Sequence, residues 1–135
     1  MSAPLTRFIE ENVPALALGA SDDTSFTQAN WAGTVASVKY IPDAAITGAN
    51  TNTRSVSLIN KGPAAAGNVV VATLQFNSGV NATAQDDVSL TLGVAANLVI
   101  ADGDNLVWRS TSVGTGIADP GGLVQVQLSR GNISS

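Results

Sequence analysis

The chain contains no cysteine and no histidine. Without cysteine there are no disulfides, no thiolate nucleophile and no Cys-based metal site. Without histidine there is no Ser-His-Asp or Cys-His nucleophile, no imidazole general base and no imidazole metal ligand. Charge is scarce as well, at 12% of residues, about half the usual share of roughly 25%. Six basic residues face ten acidic ones, for a net charge of −4, and the basic residues form no cluster. Binding to a nucleic acid backbone needs concentrated positive charge to displace counterions, so nucleic acid is not an expected partner. No stretch approaches the roughly 18 apolar residues of a membrane span. The N-terminus lacks a basic region followed by a long apolar run, and Glu10 and Glu11 interrupt it, so it does not read as a signal peptide. The expected place of synthesis is the cytosol of the producing cell.

What is present is small and weakly polar. The 135 residues, 44% of them hydrophobic, suit one domain that buries roughly two-thirds of its unfolded surface. Ala, Ser, Thr, Asn and Gly replace the missing charge. Such a surface packs readily against neighbours, although a plain small-residue β-protein has the same composition.

The stretch from Asp102 to Ser129 sets the pattern for the chain. Asn105 to Thr111 alternates, with Leu106 and Trp108 on one face and Val107 and Arg109 on the other. Leu123 to Ser129 sets Val124, Val126 and Leu128 against Gln125, Gln127 and Ser129. Period-two alternation predicts strands with one buried and one wetter face. The glycines and Pro120 between them mark turns. Further strands are expected at Gly33 to Ile41 (Val35 set against Val38 and Tyr40), Thr53 to Asn60 (Val56 and Leu58 on one face), Asn68 to Phe76 (Val70, Ala72, Leu74 and Phe76 on one face), Val88 to Leu92 and Asn97 to Ile100. Strands recurring with turn chemistry between them, and no helical period after residue 30, predict an all-β antiparallel two-sheet sandwich or jelly roll.

Residues 1–30 lack that rhythm and are expected to form an N-terminal extended arm ahead of a β-sandwich domain at 31–135. Leu5 to Asn12 has the spacing for two helical turns, with Leu5, Phe8 and Ile9 on one side and Pro14 as the stop. So short a helix needs a surface to lie on. Either the arm docks on another molecule, through Leu5, Phe8 and Ile9 with Arg7 paired to an acidic partner, or it folds back over its own sheet.

The remaining motifs are weak. Asp22-Asp23, Asp86-Asp87 and Glu10-Glu11 are adjacent acids, and neighbours on an extended chain point to opposite faces rather than forming a dyad. A lysine-assisted serine has only Lys39 and Lys61 to draw on. Asp102-Gly103-Asp104-Asn105 has oxygen ligands two apart but lacks the later glycine and closing glutamate of a calcium loop; a β-turn explains it equally. Gly114-Thr115-Gly116 lacks the Lys-Ser/Thr ending of a phosphate loop. Asn81-Ala82-Thr83 and Asn132-Ile133-Ser134 match the glycosylation sequon, which carries meaning only in a secreted chain. Among the few aromatics, Tyr40, Phe76 and Trp108 fit core register, leaving Trp31 as a candidate surface platform. Neither a catalytic residue nor a cofactor or metal site is expected.

The run Arg54 to Gly62, the Val69 to Phe76 strand, and the ending from Gly103-Asp104 through Thr115-Gly116 to Pro120-Gly121-Gly122-Leu123-Val124-Gln125-Val126 together resemble a pattern in tailed-bacteriophage capsid decoration (cement) proteins of jelly-roll type. The resemblance covers about residues 50–130 and leaves the arm unmatched. It implies a non-enzymatic virion protein on the outer capsid surface, with the major capsid protein as partner and a homotrimer as its assembly. Such a protein is made in the host cytoplasm. The alternative is a tail- or fibre-associated domain that recognises a host glycan, using loops 43–53, 77–87 and 113–122 together with Trp31.

Overall fold

Ten strands and one short 3-10 helix make up the computed structural model, which describes residues 4–132. In chain order these are β1 (Pro4–Val13), β2 (Asp22–Gln28), β3 (Gly33–Pro42), β4 (Thr53–Asn60), β5 (Val69–Phe76), β6 (Val88–Ser89), β7 (Thr91–Leu92), the helix η1 (Ala95–Leu98), β8 (Val99–Ile100), β9 (Asn105–Val113) and β10 (Gly122–Asn132). All their pairings are antiparallel. The first sheet runs β1-β10-β3-β6, with β8 also on β3, and the second runs β2-β9-β4-β5-β7. The fold is an all-β two-sheet sandwich, as the strand rhythm predicts. The Asn132-Ile133-Ser134 sequon runs out of the described residues after Asn132.

Alternation drives the burial. Val124, Val126 and Leu128 of β10 meet Val56 and Leu58 of β4 and Leu106 and Trp108 of β9 in one core, all at 2% exposure or less. Tyr40, Phe76 and Trp108 are inside as expected, with the Tyr40 and Trp108 ring centroids 5.3 Å apart. Each fully buried Val, Leu or Phe contributes about 1.5–3 kcal/mol through removal of apolar surface from water.

Where strict alternation fails, a bulge is the reason. Val35 and Val38 differ in parity yet are both buried, because the β3–β10 register shifts where Gln127 meets Ser37 and Leu128 meets Val35. The extra residue, Ala36, absorbs the half-period. In β5, Val70 is expected inward but is exposed, and Val71 is buried instead. There the register shifts between Leu58–Ala72 and Ile59–Val70, so one bulge turns Val70 outward.

Two further expectations change. Val88 to Leu92 is not one strand: β6 pairs with β3 in the first sheet and β7 with β5 in the second. Leu90, 5% exposed, sits in the core at the crossing, and its N–H donates to Val38 O at 2.9 Å. Asn97 to Ile100 is not one strand: Asn97 and Leu98 close the η1 turn, and only Val99 and Ile100 are extended.

The largest correction concerns the N-terminus. Leu5 to Asn12 is not helical; it lies within β1, which pairs with β10 from Pro4–Asn132 to Val13–Gly122. β2, also inside the expected arm, pairs with β9 along Asp22 to Gln28. Residues 4–28 thus supply one edge strand to each sheet, and the pairing shows no boundary at residue 30. The segment is extended, but it folds back onto its own sandwich. The i, i+3, i+4 spacing of Leu5, Phe8 and Ile9 yields to ladder bonds with β10, because a two-turn helix is marginal alone.

Candidate functional site

Chemistry-bearing side chains gather in three places: two interior polar networks and one outward groove. The first network fills the end of the sandwich where β1, β3, β9 and β10 turn. Arg54, fully buried on β4, donates through Nε to Ile117 O, through Nη1 to Ser110 Oγ at 2.8 Å, and through Nη2 to Ala17 O and Ala20 O at 3.3 and 2.9 Å. Ser110 Oγ donates to Asp119 Oδ2 at 2.7 Å, and Tyr40 OH donates to Asp119 Oδ1 at 2.5 Å. The Gly121 N–H adds a third bond to that carboxylate at 3.0 Å. Burial pushes the Tyr40 phenol far above its ordinary range, reinforced by its bond to Asp119 and by that residue's charge. Burial likewise lowers Arg54, against the opposing pull of Asp119. A guanidinium, hydroxyl, carboxylate and phenol in a row resemble catalytic equipment. Here they are consumed in pinning the 14–21 and 114–121 loops, which also bridge backbone to backbone between Leu16 and Asp119. Buried charges are tolerable only when their polar atoms are hydrogen-bonded; the loop carbonyls and Ser110 satisfy the guanidinium.

The second network resolves the Asp102–Asn105 motif. Asp104 is 7% exposed; its Oδ2 accepts from Asn60 Nδ2 at 2.9 Å and from the Ala101 N–H at 2.8 Å. Gly103, with φ +94°, completes a turn closed by Asp104 N–H to Ala101 O. The carboxylate is thus spent on a turn, and among the described residues no cluster of three acids, histidines or cysteines is placed to hold a metal.

The outward groove, about 580 Å³, runs between the β2–β9 edge and the turn after β4. Asp23 meets Arg109 in a two-pronged pair, at 2.8 and 3.0 Å. Arg109 Nη2 also donates to Asn68 Oδ1, as does Lys61 Nζ. Gln28 Nε2 donates to Asn105 Oδ1 at 3.2 Å. Val107 forms part of the floor. The Arg109 guanidinium holds the Asp23 carboxyl below its usual range, and Asp23 in turn raises Arg109. Period two placed Arg109 outward; its partners lie 86 and 41 residues away in sequence and had no local signal.

The residues singled out from sequence are scattered. On β1, Leu5, Arg7 and Ile9 share the face that continues the core side of β10, while Phe8 points to the opposite face. Leu5, Arg7 and Phe8 are exposed and Ile9 is half-buried against the core. They do not form the single apolar stripe expected of them. Trp31 is half-buried, packs on the core, and carries the Arg130 guanidinium 5.4 Å from its ring centroid. Loops 43–53, 77–87 and 113–122 do come together, at the end where β4 starts and β5 and β9 stop. They bond one another there: Ile46 bridges Ala82, the Gly48 N–H donates to Asn81 Oδ1, and the Thr115 N–H donates to Asn52 Oδ1. Trp31 lies between β2 and β3, at the other end, so it cannot share a site with them. Of the acid pairs, Asp22 and Asp86 each accept from the next residue's N–H. Lys39 pairs with Asp87 at 3.6 Å.

No family model, curated protein or solved structure matches the chain.

Proposed function

We propose that this chain is a structural protein of a phage virion that binds the outer surface of the assembled capsid and stabilises it. The observation that carries the reading is a group of four exposed valines around the η1 corner. Val69 and Val70 at the start of β5 are 41% and 39% exposed, and Val94 and Val99, on either side of η1, are 68% and 59% exposed. Asn97 Nδ2 donates to Val70 O at 3.2 Å and fastens η1 to β5, which brings both segments to one corner of the fold. Apolar side chains clustered on a weakly charged surface mark a contact with another protein. The decoration-protein resemblance of residues 50–130 supplies the kind of partner, the major capsid protein. The test is co-sedimentation with assembled capsids of the virus that encodes the chain. Wild type pelleting with capsids, and Val94→Asp/Val99→Asp failing to, supports the reading. Wild type left in the supernatant refutes it.

A second reading has its own observation. The groove is lined by Asp23, Gln28, Lys61, Asn105 and Val107, with Arg109 paired to Asp23, which suits hydroxyl-rich ligands. It moves the glycan-binding alternative away from the turn loops and Trp31. A glycan array with wild type and Arg109→Ala checks it; equal signals from the two, or none, remove it.

A further inference from the structure

Four sheet edges end this sandwich, and three are blunted. β6, β7 and β8 are two residues each, and β2 is bulged at Phe26 and carries Asp22 and Asp23. Short, bulged or charged edges resist pairing with another chain. The fourth, β1, runs ten residues, pairs with β10 on one side, and has no strand partner on the other among the described residues. Every second residue of such a strand presents its N–H and C=O outward.

We infer that β1 pairs antiparallel with β1 of a second copy of this chain, across a two-fold axis at Ile9, joining the two first sheets into one. The register follows from symmetry and charge. A two-fold perpendicular to the sheet keeps core faces on the same side, so residues of equal parity must stand opposite one another. Ile9 opposite Ile9 then sets Arg7 against Glu11 twice, and Leu5 against Val13 twice, all on the core-side face. Arg7 and Glu11 are both exposed in the single chain, as is Leu5, although that face continues the buried side of β10. Sliding one step either way loses the match. An axis at Phe8 puts Arg7 opposite Ile9 and Glu11 opposite Leu5; an axis at Glu10 puts two Glu10 carboxylates face to face. Opposite charges across a strand pair stabilise it and like charges oppose it. Pro4 and Pro14 bound the matched stretch, where a missing N–H stops a ladder.

The contact does not depend on capsid binding, and it sets a two-fold dimer in place of the homotrimer that the resemblance implies. A dimer that ignores capsids loses only the capsid reading, and a capsid-binding monomer loses only this one. The test is light scattering after size exclusion on the full chain at about 100 µM, a range where micromolar association registers. Wild type is expected at twice the 13.6 kDa chain mass. R7E sets a carboxylate opposite Glu11, and E11R sets a guanidinium opposite Arg7. Each single variant is expected to weaken the dimer about tenfold or more, with unchanged near-ultraviolet circular dichroism. The double variant R7E/E11R restores the pairing with its signs exchanged and recovers the dimer. A wild-type monomer or trimer overturns the inference. So does a dimer indifferent to both single variants, or a double variant that stays dissociated.

Discussion

Tyr40→Phe tests the buried network most sharply, because Tyr40 is the single tyrosine in the chain. The substitution deletes one hydroxyl and leaves Asp119 with its bonds from Ser110 and Gly121. A hydrogen bond to a charged group contributes about 1.5–3 kcal/mol, so Tyr40→Phe should lose about that much at pH 8. The pH dependence adds a second signature. Burial raises the folded-state pKa of Tyr40, while in the unfolded chain it titrates near 10. The unfolded state therefore releases a proton above pH 10 that the folded state keeps. Stability from this group is complete below pH 10 and falls by about 1.4 kcal/mol per pH unit beyond it. The phenylalanine variant lacks this loss, and lysine titration is common to both proteins. The gap between them should thus narrow by about 1.4 kcal/mol between pH 8 and pH 11. Urea unfolding followed by tryptophan fluorescence measures it, with absorbance at 295 nm reporting phenolate directly. Phenolate should appear only as the protein unfolds. A folded protein whose tyrosine titrates near pH 10, or a gap constant with pH, refutes the argument.

Arg54→Met should cost about 3–5 kcal/mol, since it leaves loop carbonyls unbonded and Asp119 without its buried counter-charge; thermal unfolding reads this as a large drop in Tm or a failure to fold. Arg109→Met should change stability by no more than about 1 kcal/mol, because the pair with Asp23 is solvent-exposed. The lowered pKa of Asp23 means its small contribution is present above pH 4 and fades as pH falls through the folded value, so wild type and Arg109→Met should converge in acid urea titrations. Gly48→Ala places a Cβ 1.8 Å from Asn77 O and 2.4 Å from Val80 O, both backbone atoms, and should destabilise by about 1–3 kcal/mol through overpacking. Millimolar calcium or EDTA should leave Tm unchanged, because Asp104 is already bonded to Asn60 and Ala101; a calcium-dependent rise would reopen the metal reading of that turn.

A deletion of residues 1–30, which suits a detachable arm, is not a clean experiment on this fold. It would strip β1 from β10 and β2 from β9, exposing two long strand edges and part of the core. Point changes on β1 separate binding from folding where truncation does not.

Sequence alone determined the class of this protein and the inward faces of its best strands. Leu106 and Trp108, Val56 and Leu58, and Val124, Val126 and Leu128 are buried as their alternation requires, because period two is a local property of a strand against any core. The exclusion of histidine and cysteine chemistry is equally local. Three kinds of information were not local, and tertiary structure decided them. Bulges at Ala36 and Val71 reversed faces because a register shift belongs to a pair of strands, not to one. The Arg54–Ser110–Asp119–Tyr40 chain joins residues up to 79 apart, and by residue type Arg54, Ser110 and Asp119 look like surface groups until the loops close over them. The N-terminal segment, with helical spacing and no sheet rhythm, became an edge strand because β10 offered it a full ladder of backbone bonds. Ladder bonds with a partner strand outweigh the weak helical preference of eight residues.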